Sequence, residues 1–157
     1  MKKNILVPFD GSKNALEALQ LAITLAKLLQ EKVCVLNVQP SFHTAHTKMF
    51  FKEATIRDYQ EQLFHETTAP AQKILQDAGI EYELKLRTGD AKEQICQEAA
   101  TGSVEQTAGC ATTGIRMIVM GSRGMNPVVG GVLGSVSYGV VNAALCPVTI
   151  VPFSCSE

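Results

Sequence analysis

Residues 116–137 read RMIVMGSRGMNPVVGGVLGSVS and give the clearest indication of the fold. An apolar strand is predicted at residues 117–120, and a helix is predicted from Ser135. The loop between them, residues 121–134, holds five of the 12 glycines of the chain, so it is a specialised segment. Glycine lets a backbone approach an anion closely, and a helix N-terminus presents unpaired N–H groups to it. The order strand, glycine loop, helix therefore predicts a phosphate-binding cradle.

Strands and helices alternate on both sides of this stretch. Short apolar or alternating runs predict strands, and apolar residues at helical spacing predict helices. The predicted strands are residues 5–9, 33–38, 80–87, 117–120 and 148–151. The predicted helices are residues 13–30, 51–78, a segment from about 91, and 135–145. Residues 39–48 are predicted to be a loop, and Pro70 is expected to begin a new helix or kink an existing one.

Alternation of this kind is typical of an α/β protein with a doubly wound, Rossmann-like, five-stranded parallel sheet of order 3-2-1-4-5. In such a sheet, ligands bind beyond the carboxyl ends of the first and fourth strands, where the winding direction reverses. Asp10 ends the first predicted strand and Gly121 ends the fourth. We therefore expect these two distant residues to meet at one crevice.

Composition narrows the class of protein. A chain of 157 residues is expected to form a single domain spanning residues 1–157. A net charge of −1 and a pI near 6.3 argue against a nucleic-acid partner. The apolar runs are too short for a membrane span or a signal peptide, so a cytoplasmic location is expected. The five scattered cysteines contain no C-x-x-C pair and are expected to be incidental thiols.

Other interpretations of the predicted site are open. The loop is neither a Walker P-loop, which needs a lysine before the serine, nor a dinucleotide fingerprint. It could be merely flexible, Asp10 could simply cap a turn, and Arg123 could be a solvated loop arginine. His43 and His46 lie in a polar loop without a third ligand, so no metal site is predicted.

The chain resembles the universal stress protein family, in particular its ATP-binding branch. The resemblance covers nearly the whole chain. Its anchors are residues 7–12 (VPFDGS), 37–38 (NV), 89–90 (GD), 118–124 (IVMGSRG), 133–137 (LGSVS) and 146–148 (CPV). The nucleotide motif of the family, G-x2-G-x9-G-(S/T), is matched without a gap by Gly121, Gly124, Gly134 and Ser135. The resemblance implies a Rossmann-like fold of the adenine nucleotide alpha hydrolase type.

The resemblance also implies roles for residues. Asp10 would bind the ribose, the backbone of Val38 would contact the adenine edge, and Met120 with Gly121 would line the sugar. The full predicted site is Pro8, Asp10, Val38, Met120, Gly121, Arg123, Gly124, Gly134, Ser135 and Val136. The ligand would be ATP, with or without Mg²⁺, bound by a regulator of the stress response. The alternatives are a slow ATPase or nucleotide-dependent transferase on the same fold, and a nucleotide-free stress protein.

Two departures from the family pattern stand out: the long segment from Thr101 to Gly114, and Arg116, where the family commonly has an aspartate. A homodimer through Val148, Thr149, Ile150 and Val151 is expected, because this uncharged strand lies at a sheet edge. The third strand, at the other edge, carries charges on alternate residues and should have one solvent-exposed face. In the alternative to a dimer, the tail from Phe153 folds back over the edge.

Overall fold

Five strands and five helices are present in the computed structural model, which describes residues 3–42, 45–101, 114–124 and 133–154. The strands are β1 (Asn4–Pro8), β2 (Lys32–Gln39), β3 (Tyr82–Thr88), β4 (Ile115–Gly121) and β5 (Val148–Val151). The helices are α1 (Lys13–Leu29), α2 (Ala45–Phe50), α3 (Glu53–Ala78), α4 (Ala91–Thr101) and α5 (Ser135–Ala143).

The strands form one parallel sheet in the order β3-β2-β1-β4-β5, which confirms the predicted topology. β1 lies at the centre, and its residues Ile5, Leu6 and Val7 are fully buried. A strand with helices on both faces must be apolar on both faces, which explains its unbroken apolar run.

Two apolar cores lie on opposite faces of the sheet, because successive side chains of a strand point to opposite sides. Ile5 and Val7 pack with α1 and α3, whereas Leu6 packs with α4 and α5. Leu19 of α1 belongs to the first core, as predicted from helical spacing. This arrangement places the N-terminal ends of the helices at the carboxyl edge of the sheet.

The charged face of β3, an edge strand, is partly open to solvent: Glu83 is exposed, as its alternating pattern predicts, whereas Lys85 and Arg87 are half-buried against α4. Lys85 and Arg87 of β3 both donate to the carboxylate of Glu98 on α4, at 2.8 and 2.7 Å. The side chain of Glu98 is only 4% exposed. Burial raises the pKa of Glu98, but the hydrogen bonds from Lys85 and Arg87 outweigh it and leave the pKa lowered. The part of this face that carries Lys85 and Arg87 is therefore covered by an ionic contact with α4.

Several local features differ from the sequence predictions. Residues 45–50 form α2, where a loop was expected, and α3 runs through Pro70 without a break. Pro70 and Glu66 are both exposed, so water can satisfy the Glu66 carbonyl that proline leaves without an N–H donor.

Arg116, which departs from the family pattern, donates to both carboxylate oxygens of Glu31 at 2.7 Å. Most of the long segment before β4, residues 102–113, lies outside the described residues.

No helix among the described residues is long and apolar enough to span a bilayer.

Candidate functional site

A cavity of about 380 Å³ opens at the carboxyl edge of the sheet, between the ends of β1, β2 and β4. This volume lies in the range of small-molecule sites. All ten predicted site residues line it: Pro8, Asp10, Val38, Met120, Gly121, Arg123, Gly124, Gly134, Ser135 and Val136. The structure thus brings the predicted residues together, while their binding roles stay predictions.

Six further residues line the cavity and were not in the predicted site: Phe9, Ala15, Leu36, Ala91, Ile95 and Ser137. Ala91 and Ile95 come from the start of α4. The Gly89-Asp90 turn that precedes them could have indicated this position, because β3 ends at the same edge of the sheet. Most of the others carry apolar side chains, which sequence cannot distinguish from core residues.

Asp10 is held by the turn that follows β1. Its Oδ1 accepts a hydrogen bond from the backbone N–H of Ser12 at 2.9 Å. Its Oδ2 lies toward the glycine loop, 3.0 Å from the position that a Cβ on Gly124 would occupy. The turn-capping interpretation of Asp10 therefore holds for one oxygen, while the other oxygen remains on the cavity side. Gly11 takes a φ of 82°, which favours glycine at this turn.

A backbone hydrogen bond joins the two ends of the glycine loop. The N–H of Gly134 donates to the carbonyl of Ser122 at 2.8 Å, and the N–H of Ser122 donates to Val151 of β5 at 2.9 Å. Residues 125–132 between these ends lie outside the described residues. Because the Gly134 N–H is already paired, it is not a donor for phosphate in this conformation.

Ser137 is a support of the loop that the sequence analysis missed. Its hydroxyl lies 2.9 Å from the carbonyl of Gly121 and 3.2 Å from that of Ser122, and it can donate to either. The hydroxyl is therefore turned to the loop. A serine two residues after the motif serine carries no distinctive sequence signal, which explains the omission.

The motif glycines Gly121, Gly124 and Gly134 do not take a positive φ. Gly134 has a φ of −62°, and Gly121 and Gly124 are not among the glycines with positive φ. Close approach is the constraint instead. A Cβ on Gly121 would lie 2.6 Å from the side chain of Asn14, a distance that real atoms do not adopt.

The N-terminus of α5 presents hydrogen-bond donors to the cavity. Its first helical bond runs from the N–H of Tyr138 to the carbonyl of Gly134, at 2.9 Å. The N–H groups of Ser135, Val136 and Ser137 therefore have no intrahelical acceptor. All three residues line the cavity, and the positive end of the helix dipole lies there. This end of the cavity suits an anion.

Val38 offers its backbone at the other end of the cavity. Pairing of β1 with β2 ends at Pro8 and Leu36, and the carbonyl of Leu36 accepts from Phe9 at 2.8 Å. Alternate residues of a strand direct their N–H and C=O groups to the same side. Val38 therefore directs its backbone groups to the β1 side, beyond the last paired β1 residue. A donor and an acceptor are thus available for a planar polar ring.

Charge in the cavity is sparse. Among the described lining residues, only Asp10 and Arg123 are ionisable. No cluster of three or more His, Cys, Asp or Glu residues that could hold a metal ion occurs in the described part of the chain. His43 lies outside that part, and the side chain of His46 is not described. A magnesium ion could take one carboxylate here, with phosphates and water supplying its other ligands.

This molecule has the features of a class of α/β ligand-binding proteins. Its sheet is doubly wound, the cavity lies where the winding direction reverses, and helix N-termini surround the cavity. The model of the universal stress protein family matches residues 1–152. Universal stress protein Sll1654 of Synechocystis sp. is 31% identical to this chain, over 97% of this chain and 87% of the relative. The chain therefore belongs to the universal stress protein family.

Solved structures show the same fold. The hypothetical protein MJ0577 superposes with a TM-score of 0.79 and 26% identity, covering 99% of both chains. A family member from Arabidopsis thaliana with AMP bound has a TM-score of 0.62 and 22% identity, over 98% of this chain and 93% of that one. A universal stress protein in complex with cAMP has a TM-score of 0.67 and 18% identity, over 97% and 98% of the two chains.

Proposed function

We propose that this chain binds ATP in the cavity at the carboxyl edge of the sheet and acts as a cytoplasmic, nucleotide-binding regulator of the stress response. The N-terminus of α5 carries the proposal, because Ser135, Val136 and Ser137 turn unpaired N–H groups toward a cavity of nucleotide-binding size. Phosphate oxygens are the strongest acceptors that such a site can meet.

The remaining parts of a nucleotide have partners at matching positions. Asp10 lies across from α5, and its Oδ2 can accept from the hydroxyls of a ribose. Leu36, Met120 and Ile95 form apolar walls for a base. The backbone of Val38 can then donate to and accept from the edge of adenine. Adenine presents a donor and an acceptor side by side, whereas guanine presents a different pattern on that edge.

Nucleotide complexes of relatives support nucleotide binding by this fold. The Arabidopsis thaliana protein is described with AMP bound, and another family member is described in complex with cAMP. Both proteins share the fold, and adenine nucleotides are common to both descriptions. Three or four charge-assisted hydrogen bonds, at about 1.5–3 kcal/mol each, are compatible with roughly micromolar binding after the cost of association.

Hydrolysis is not required by this arrangement. A slow ATPase or transferase would need a group that activates water or another acceptor beside the phosphates. The one carboxylate among the described lining residues is Asp10, and we assign it to the ribose. We therefore propose that ATP acts mainly as a ligand, and single-turnover measurements of hydrolysis would test this.

A homodimer through β5 is the second part of the proposal. β5 is an edge strand, and all four of its residues are only half-buried. Beside it, Tyr138 and Val141, one turn apart on α5, are 64% and 45% exposed, and Leu145, just after the end of that helix, is 87% exposed. The tail after β5 turns instead to α1, where Ser154 donates to Glu17. A second copy would cover the exposed edge and this apolar face.

Sedimentation tests the assembly. We expect the wild-type protein to be a dimer at micromolar concentration and Ile150→Lys to be a monomer, because a buried lysine at the two-fold contact would be unpaired. A monomeric wild-type protein at that concentration would contradict the dimer and leave the nucleotide proposal untouched.

NMR chemical-shift mapping tests the nucleotide site. On addition of ATP we expect the largest amide shifts at Asp10, Val38 and residues 135–137. Shifts confined to other surfaces would reject this cavity as the site, even if ATP binds.

A further inference from the structure

The side chain of Asn14 connects three parts of the molecule beneath the cavity without lining it. Asn14 lies in the first turn of α1 and is fully buried. Its Nδ2 donates to the carbonyl of Val151 at the end of β5, at 3.2 Å, and to Glu17 at 3.1 Å. Its Oδ1 accepts from the backbone N–H of Arg123 at 3.0 Å.

We propose that Asn14 is a positioning residue of the nucleotide site. Asn14 fixes the first turn of the glycine loop in the position that phosphate binding requires. The inference rests on the proposed function. Neither the family motif nor the cavity lining includes Asn14, because the motif starts at Gly121 and the amide lies behind the loop.

The partners of Asn14 fix both the residue type and the orientation of its amide. A backbone N–H needs an oxygen and a backbone carbonyl needs a donor, so Oδ1 must face Arg123 and Nδ2 must face Val151. An aspartate would lack the donor for Val151 and would bring a second carboxylate beside Glu17. An aliphatic residue would leave the N–H of Arg123 and the carbonyl of Val151 with one partner fewer.

Asn14 also gives a reason for the first glycine of the motif. A Cβ on Gly121 would lie 2.6 Å from both Cγ and Oδ1 of Asn14. Gly124 is different, because its nearest neighbour would be Asp10 on the cavity side. Gly121 is therefore needed to admit the supporting amide, and Gly124 is needed to keep the cavity open.

The effect of Asn14 reaches α5 through Ser122. The hydroxyl of Ser122 lies 3.4 Å from Oδ1 of Asn14, and its carbonyl accepts from the N–H of Gly134 at 2.8 Å. Gly134 directly precedes α5. A shift of Ser122 would therefore displace the helix N-terminus, whose N–H groups are the proposed phosphate donors.

The test compares a ligand with phosphates to one without them. We expect Asn14→Ala to lower the affinity for ATP at least tenfold in isothermal titration. The affinity for adenosine, measured by ligand-observed NMR, should stay within about twofold, because the base and ribose contacts lie elsewhere. The isosteric Asn14→Asp should show the same selective loss. Thr68→Val, which removes a buried hydroxyl in α3 away from the cavity, is the stability control and should change neither affinity.

Amide hydrogen exchange provides a readout that needs no nucleotide. In the wild type, the N–H of Arg123 should be protected by Asn14, and Asn14→Ala should remove this protection while the amides of β1 stay protected. Equal losses of ATP and adenosine affinity, or unchanged ATP affinity, would overturn the inference. Absence of ATP binding in the wild type would overturn the proposed function and this inference with it, whereas wild-type binding with an unaffected variant would overturn the inference alone.

Discussion

The two sides of the cavity offer their ligand groups in different ways. On the loop side, in residues 121–124 and 133–137, the groups offered are backbone N–H groups, and the side chains of Asn14, Ser122 and Ser137 hold that backbone in place. On the β1 side, in residues 8–12, the group offered is the side chain of Asp10, and the turn that follows it supplies its support.

This difference shows what each kind of binding group requires. Backbone donors point correctly only if the whole segment is fixed, so their support comes from residues far apart in the chain, such as Asn14 and Val151. A carboxylate needs only a local turn. We therefore expect substitutions that disturb the support of the loop backbone to affect folding and binding together, and substitutions of Asp10 to affect mainly the ligand.

The largest effect is expected for Gly121→Val. Overlap with the buried amide of Asn14 should lower the free energy of unfolding by about 1–3 kcal/mol, as overpacking does. Because the loop turn is displaced, ATP affinity should fall roughly 100-fold or more, on the order of 2.7 kcal/mol. Thermal unfolding and isothermal titration measure the two quantities.

Gly134→Ala is the matched control for this substitution. A Cβ there would meet the carbonyl of Ser122 at 3.4 Å, which is ordinary contact, and the φ of −62° suits alanine. We expect its melting temperature to stay close to that of the wild type. If Gly121→Val were as stable as Gly134→Ala, the support described for the loop side would be wrong.

A smaller effect, confined to the ligand, is expected for Asp10→Ala. Loss of a charged acceptor for the ribose hydroxyls should weaken ATP binding about tenfold, or about 1.4 kcal/mol. A 2′,3′-dideoxy analogue of ATP should be affected much less. Asp10→Asn keeps a side-chain oxygen that can accept from the N–H of Ser12 but removes the negative charge. This variant therefore distinguishes the effect of the charge from the effect of the turn. Equal losses for ATP and the analogue would assign Asp10 to the turn alone.

The smallest effect on binding is expected for Glu98→Gln, at the far edge of the sheet. The pKa of Glu98 is lowered from its ordinary value of 4.5 in the folded protein. Its contribution to stability is therefore complete above that value and is lost as the pH falls through the lower folded value. Unfolding measured against pH should lack this acid-dependent loss in the variant, and ATP affinity at pH 7 should change less than about twofold. A tenfold change in affinity would mean that the β3 edge and the cavity are coupled.

Most of the fold could be predicted because it depends on patterns along the chain. The apolar runs of β1 and β4 and the helical spacing in α1 predict the alternation, and the alternation limits the strand order to the few that doubly wound sheets adopt. The ten predicted site residues lie around one cavity for the same reason, since the carboxyl ends of parallel strands share an edge.

The remaining features depend on contacts between distant segments. The sequence near Asn14 does not show whether the side-chain amide of this residue, at the start of a helix, is buried or exposed to solvent. The charges of β3 suggested a solvent-exposed face, because their partner Glu98 lies on another element. Pro70 is compatible with a continuous helix because it is exposed to solvent, and its exposure depends on tertiary packing and not on the local sequence.

Isothermal titration of the wild-type protein with ATP and with GTP tests the nucleotide-binding proposal most directly. The backbone of Val38, directed past the end of β1, is expected to match adenine and not guanine. We predict roughly micromolar binding of ATP, about −8 kcal/mol, and at least tenfold weaker binding of GTP. Absence of ATP binding, or equal affinity for the two nucleotides, would contradict the proposal that this cavity is an adenine nucleotide site.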